Sequence, residues 1–109
     1  GADSFRVEVN DTEEVNELTL QGRINSSAIQ QLKEKCQRLS LANKNVKVNL
    51  SNCVHLNNQA LAVLLLLAKH KFRQQCIFEM TGACGELVNT LRFHRIPLSM
   101  QALGFKSPL

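Results

Sequence analysis

The middle of the chain decides the fold, where residues 46–51 read VKVNLS and residues 57–67 read NNQALAVLLLL. Apolar and polar residues alternate in the first segment, which is the pattern of a half-buried β-strand. The second segment is apolar on nearly every side, which predicts a largely buried helix. Asn57 or Asn58 can cap that helix, because either side chain can accept from an unpaired backbone amide. A strand, a cap and a helix in this order indicate an α/β protein.

The same alternating pattern predicts four more strands outside this segment. Residues 5–10 and 15–21 are joined by a polar turn, so they are expected to form an antiparallel hairpin that Gly22 ends. A further strand is predicted over residues 76–80, and a short last one near residues 100–103.

Helical spacing of apolar residues predicts two more helices. Ser26 or Ser27 is expected to cap the first of them, which should fade in the turn-like residues 42–45. The last should run from Leu87 to Ile96, where the following proline stops it. The order β-β-α-β-α-β-α predicts one sheet with at least one parallel pair, opened by an antiparallel hairpin.

Charge is unevenly spread along the 109 residues, which are enough for one domain. The net charge is +4, although residues 1–20 are strongly acidic. The bases gather in Lys69–Arg73 and Arg92–Arg95. These clusters predict either an anionic ligand at Lys69–Arg73 or cations at solvated helix ends. The absence of Trp and Tyr argues against a nucleic-acid surface built on stacking, so no nucleic acid is expected.

Catalytic and metal-binding patterns are missing from the sequence. It has no glycine-rich phosphate loop and no C-x-x-C pair among its four cysteines. Cys53 and His55 form the one Cys–His pair close in sequence, and such neighbours rarely face each other. We therefore expect no enzymatic activity, no bound metal and no cofactor. We interpret the four cysteines as buried, reduced thiols of a cytoplasmic protein. The apolar run at 60–68 is too short to span a bilayer.

A docking surface is predicted where the polar cap meets the apolar helix. If the inward residues are Leu61, Leu64, Leu65 and Ala68, a row of the helix with apolar members is left facing outward. The alternative is that another helix covers this row. The residues predicted to meet a protein partner are His55, Asn57, Asn58, Gln59, Ala62, Leu66 and Lys69.

Three segments in this order resemble a STAS domain, the module of bacterial anti-sigma factor antagonists and sulfate transporter tails. They are residues 18–24 (LTLQGRI), 46–54 (VKVNLSNCV) and 57–64 (NNQALAVL). The resemblance spans residues 5–103, with 104–109 as a tail and 1–4, which lack an initiator Met, interpreted as a cloning remnant. It implies a mixed sheet of four to five strands with helices mainly on one face. It also implies a non-catalytic binding function, with an anti-sigma factor or kinase as partner.

The sequence departs from this family at the turn before the second helix. STAS domains of this kind carry an Asp-Ser-x-Gly-Leu-like turn whose hydroxyl a partner kinase phosphorylates, whereas this chain has NNQAL at 57–61. Asn58 takes the acceptor position and an amide cannot be phosphorylated, so we predict binding without the phosphate switch. Asn57 and Asn49 replace two further acids of the pattern. Two alternatives share the fold: an accessory subunit that docks on the ATPase of a phospholipid ABC transporter, and a module that binds nucleotide or lipid.

Overall fold

The elements follow one another in the predicted order. The computed structural model describes residues 4–95 and the backbone of residues 100–101. Its elements are β1 (Phe5–Asp11), β2 (Val15–Ile24), α1 (Ile29–Leu41), β3 (Asn45–Leu56), α2 (Asn58–Arg73), β4 (Phe78–Thr81), α3 (Glu86–Phe93) and β5 (Met100–Gln101).

The five strands form one mixed sheet in the order β1-β2-β3-β4-β5. The pairs β1–β2 and β4–β5 are antiparallel, whereas β2–β3 and β3–β4 are parallel. The predicted hairpin and parallel pairing are therefore confirmed. The parallel pairs require crossovers, and α1 and α2 provide them.

Within the described part of the chain, helices cover one face of the sheet and leave the other open. Inward residues such as Leu18, Val48 and Phe78 are fully buried and join buried residues of all three helices in one core. The outward residues of the same strands are polar and partly exposed. On that open face Lys47 pairs in register with Glu17 on one side and Glu79 on the other. The helices thus lie on one face, as the STAS resemblance implies.

β2 and β3 run further than the sequence predicted. Gly22 was expected to end β2, but it adopts φ +76° inside the strand, where a side-chain carbon would collide with the Ser4 carbonyl. β3 continues to Leu56 because two register shifts against β2 let it bend. Leu50, Cys53 and Leu56 are therefore buried at a spacing of three. This spacing differs from the alternation expected of a strand, so the sequence did not predict this part of β3.

Several predicted ends of elements are wrong. Neither Ser26 nor Ser27 caps α1: the Ser27 hydroxyl donates to Asn25 Oδ1 over 3.1 Å, and Ala28 takes the cap position without a side-chain bond. β4 begins at Phe78 because Gln75, with φ 60°, first turns the chain out of α2. α3 ends at Phe93, since the chain turns at Arg95, with φ 57°. Residues 96–99 and 102–103 lie outside the described residues.

The C-terminal ends of α1 and α2 are joined by side chains. Lys71 is fully buried, and its Nζ donates to the Ala42 carbonyl just after α1. Gln74 Nε2 donates to the Ser40 carbonyl over 2.6 Å. These bonds satisfy carbonyls that a helix end leaves without partners. Burial lowers the pKa of Lys71 below its usual value, with Cys76 partly opposing the shift.

Candidate functional site

The N-terminus of α2 is fixed by one of the two predicted caps. The side-chain oxygen of Asn57 accepts from the backbone amide of Ala60 over 2.8 Å. The backbone amide of Asn57 donates to the Ile24 carbonyl at the end of β2 over 3.0 Å. Asn58 is the first residue of α2 and is exposed. The cap therefore serves the fold, and the Asn58 side chain faces solvent.

The outer face of α2 is arranged as the sequence predicted. Asn58, Ala62, Leu66 and Lys69 are exposed, and their spacing of four, four and three residues puts them in one row. Leu66 is 56% exposed, a large fraction for a leucine in a helix that packs on a sheet. The inward residues 61, 64 and 68 are buried, and 65 is partly buried. Within the described part of the chain, no element covers this row.

The remaining predicted residues lie at the start of the same row. Gln59 is exposed on the neighbouring side of α2, and His55 is half-buried at the end of β3. His55, Asn57 and Asn58 form one wall of a cleft of about 540 Å³. The seven predicted residues therefore lie on the outer side of α2 and around its N-terminus.

The other wall of this cleft was missed at the sequence level. It comes from α3 and the turn after it, through Asn89, Thr90, Phe93 and His94. Phe93 is 82% exposed, and its ring meets that of His94 edge-on with centroids 5.2 Å apart. The available signal was a phenylalanine inside a basic cluster, which we interpreted as a helix end.

The cysteines are not arranged for nucleophilic chemistry. Cys53 Sγ lies 3.6 Å from the backbone carbonyl of His55, so the contact does not involve the imidazole. Burial raises the pKa of Cys53 to about 11, whereas a nucleophilic thiol needs a lowered pKa. All four thiols are free; three are buried as predicted, but Cys84 is exposed. Among the described residues, no three His, Cys, Asp or Glu side chains are grouped to hold a metal.

The basic cluster at 69–73 is less available than its sequence suggested. Lys71 is turned into the α1–α2 junction, so it cannot meet an external anion. Lys69 and Arg73 are exposed and carry the remaining permanent charge of the cluster. No helix in the described ranges is long and apolar enough to cross a membrane.

Solved structures share this architecture. An anti-sigma factor antagonist from Mycobacterium paratuberculosis matches with a TM-score of 0.75 at 16% identity, covering 87% of this chain and 81% of that one. The STAS domain of a Rhodobacter sphaeroides antisigma-factor antagonist matches at 0.53 and 11% identity, covering 72% and 86%. This chain has the STAS fold.

A third structure with the STAS fold is the Bacillus cell fate determinant SpoIIAA in its phosphorylated form. It matches with a TM-score of 0.66 at 13% identity, covering 84% of this chain and 83% of that one. No protein-family model matches the sequence, and no curated protein matches it. The resemblance seen in the three sequence segments is therefore confirmed for the fold.

Proposed function

We propose that this chain is a non-catalytic, cytoplasmic protein-interaction module of the anti-sigma factor antagonist type. The row Asn58, Ala62, Leu66 and Lys69 is its docking element. The observation that carries the proposal is the exposure of Leu66 in a row that no described element covers. An exposed apolar side chain among polar neighbours is typical of protein contact surfaces. The structural neighbours named as anti-sigma factor antagonists support this function by their fold.

We also propose that the module binds without a phosphate switch. SpoIIAA is known in phosphorylated and unphosphorylated forms, and the STAS resemblance puts the acceptor at the position of Asn58. The Asn58 amide cannot be phosphorylated and carries no charge that imitates a phosphate. Ser51 is the only hydroxyl residue between 48 and 69, and it lies on β3 rather than on α2.

Partner capture from a lysate of the source organism tests the docking element. The immobilised chain is compared with Leu66→Asp and Asn58→Arg, and with Leu41→Asp as the matched control. Leu41 is 86% exposed at the end of α1, away from the row. We expect all three variants to fold, because the changed side chains are exposed. Leu66→Asp and Asn58→Arg should lose the partner, whereas Leu41→Asp should keep it.

Two outcomes would contradict this assignment. Equal capture by all variants would place the contact elsewhere, and unfolding of Leu66→Asp would mean that Leu66 belongs to the core. The identity of the captured protein also separates the two partner classes. An anti-sigma factor or kinase supports the regulatory function. The ATPase of a phospholipid ABC transporter would instead indicate an accessory subunit of that transporter.

A further inference from the structure

A second concave surface lies between α1 and α2, and we call it the interhelical groove. Its volume is about 290 Å³. It is lined by Lys33, Cys36, Gln37, Ser40, Val63, Leu66, Leu67 and His70. Four of these residues come from each helix, and in both helices they follow the spacing i, i+3, i+4, i+7. Each helix therefore contributes one continuous face, about two turns or roughly 10 Å long.

The floor of the interhelical groove is apolar and uncharged. Leu67 and Cys36 are buried beneath it, and Val63 is partly exposed in its wall. Burial raises the pKa of Cys36 to about 12, so its thiol stays protonated at neutral pH. Leu66 rises at the outer edge, where the groove meets the row of α2 described above. The groove is therefore continuous with the proposed docking element.

Side-chain hydrogen bonds at the C-terminal ends of α1 and α2 fix the shape of the interhelical groove. Lys71 and Gln74 of α2 bond to the carbonyls of Ala42 and Ser40 at the end of α1. The two helices run in the same direction because each connects parallel strands, and these bonds fix their last turns against each other. A groove held in this way is present before any partner arrives, which lowers the ordering cost of binding.

The rim of the interhelical groove carries basic side chains and no acidic one. Lys33 and His70 line it, and Lys69 and Arg73 are exposed on α2. Glu34 is the only acidic residue between positions 18 and 78, and no acid occurs in α2. An apolar floor with a cationic rim complements a ligand that is apolar on one side and anionic on its flanks.

We propose that the interhelical groove binds an acidic amphipathic helix of the protein partner. Apolar side chains of that helix, spaced i, i+3 or i+4 and i+7, would lie on Leu67 and Cys36 between the two walls. Its flanking carboxylates would face Lys33 and Lys69. This inference rests on the proposed function and specifies which element of the partner is bound. The concave floor favours a helix over a membrane, which would contact protruding side chains.

The test uses stapled helical peptides of about five turns and amide chemical shifts of the intact chain. The probe has leucines on one face and glutamates elsewhere. Two comparison peptides replace glutamate by lysine or scatter the leucines around the helix. We expect the probe alone to shift Lys33, Gln37, Val63 and His70 at concentrations up to about 1 mM. Leu66→Asp and Lys33→Glu should each weaken binding by about tenfold or more.

Matched variants keep this experiment decisive. Leu41→Asp and Arg38→Glu make comparable changes at the end of α1 and on the side of α1 that lines a different cleft, so they should leave the Kd of the probe unchanged. The proposal is overturned by an absence of shifts, by shifts confined to other surfaces, or by equal binding of either comparison peptide. Tighter binding to vesicles of equal phosphatidylglycerol and phosphatidylcholine than to the probe would also overturn it and indicate a lipid surface.

Partner capture separates failure of this inference from failure of the proposed function. Lys33 lines the groove on α1. Asn58 lies at the start of α2 and is not one of the lining residues. If Asn58→Arg abolishes capture and Lys33→Glu does not, the docking element stands and the groove is not its binding pocket. If both variants retain the partner, the docking element assigned under the proposed function is also wrong, and the contact lies elsewhere.

Discussion

The two ends of α2 satisfy their backbone groups in different ways. At the N-terminus Asn57 bonds within its own helix and to β2, leaving Asn58 in solvent. At the C-terminus Lys71 and Gln74 bond across to α1, and Lys71 is fully buried. At the N-terminal end the exposed side chains are not needed to satisfy the backbone groups. At the C-terminal end the long side chains of Lys71 and Gln74 form the bonds to α1. Changes at the C-terminal end should therefore cost stability, and changes at the N-terminal surface should cost binding.

The largest expected effect is at Lys71. Lys71→Ala removes a buried stem and leaves the Ala42 carbonyl without its partner, so we expect a loss of about 2–3 kcal/mol in the free energy of unfolding. Urea denaturation measures it. Lys69→Ala is the matched control on the exposed face of α2 and should change stability by less than about 0.5 kcal/mol. Equal effects at the two lysines would mean that the junction does not hold the helices together.

The buried charge of Lys71 should also make stability depend on pH. Its pKa is lowered in the folded protein, so between that value and 10.5 the unfolded chain binds more protons than the folded one. Stability from this group is present above 10.5 and is lost as the pH falls through the folded value. Wild type should therefore gain stability relative to Lys71→Met as the pH rises toward 10.5.

Comparing these two proteins cancels the contribution of the buried thiols. Burial raises the pKa of Cys36 and Cys53 to about 12 and about 11, so both proteins should lose stability as the pH rises above 9. The measurement is urea denaturation of both proteins at a series of pH values. A difference between them that stays constant with pH would show that Lys71 carries the same charge in the folded and unfolded states.

At the N-terminal end the cap should contribute less than the junction. Asn57→Ala removes the acceptor of the Ala60 amide, and we expect a loss of about 1 kcal/mol. Asn58→Ala, one residue further, should cost less than about 0.5 kcal/mol because Asn58 is exposed. Thermal unfolding of the two variants measures the contrast. A larger loss for Asn58→Ala would reverse the roles that the structure gives to these asparagines.

The smallest effect on folding is expected for Asn58→Ser, which restores a hydroxyl at the acceptor position. Its unfolding free energy should match wild type within about 0.5 kcal/mol, because the site is exposed. If the proposed partner is a kinase, it should phosphorylate this variant on incubation with ATP and leave wild type unmodified. Mass spectrometry of the tryptic peptide 48–69 measures this. Phosphate on Ser51 in both proteins would show that another hydroxyl serves as acceptor.

The sequence predicted the elements well where one period held throughout a segment. The hairpin followed directly from alternation. Helical spacing placed Leu61, Leu64 and Ala68 correctly on the inward face of α2 but missed the burial of Leu67. β3 was cut short at residue 51 because its later residues are buried every third position, which matches neither period. The cap of α1 was misplaced because Ser27 bonds to Asn25 instead of to the helix.

The candidate site was predicted only for α2 and the residues just before it, because only local spacing is visible in a sequence. The cleft needs Phe93 of α3, and the interhelical groove needs Cys36 and its neighbours on α1. Which faces of separate helices meet depends on packing over the sheet. Lys71 shows the same limit: a lysine in a basic run is expected in solvent, and only the nearby end of α1 explains its burial.

Titration calorimetry of the purified partner tests the central claim most directly, with ATP and magnesium present and absent. The account predicts the same Kd in both conditions for wild type, no binding by Asn58→Arg, and an unmodified 48–69 peptide at the end. A phosphate on that peptide, with a Kd about tenfold weaker after ATP, would contradict a docking element that works without a phosphate switch. Unchanged binding by a folded Asn58→Arg variant would contradict its location at the N-terminus of α2.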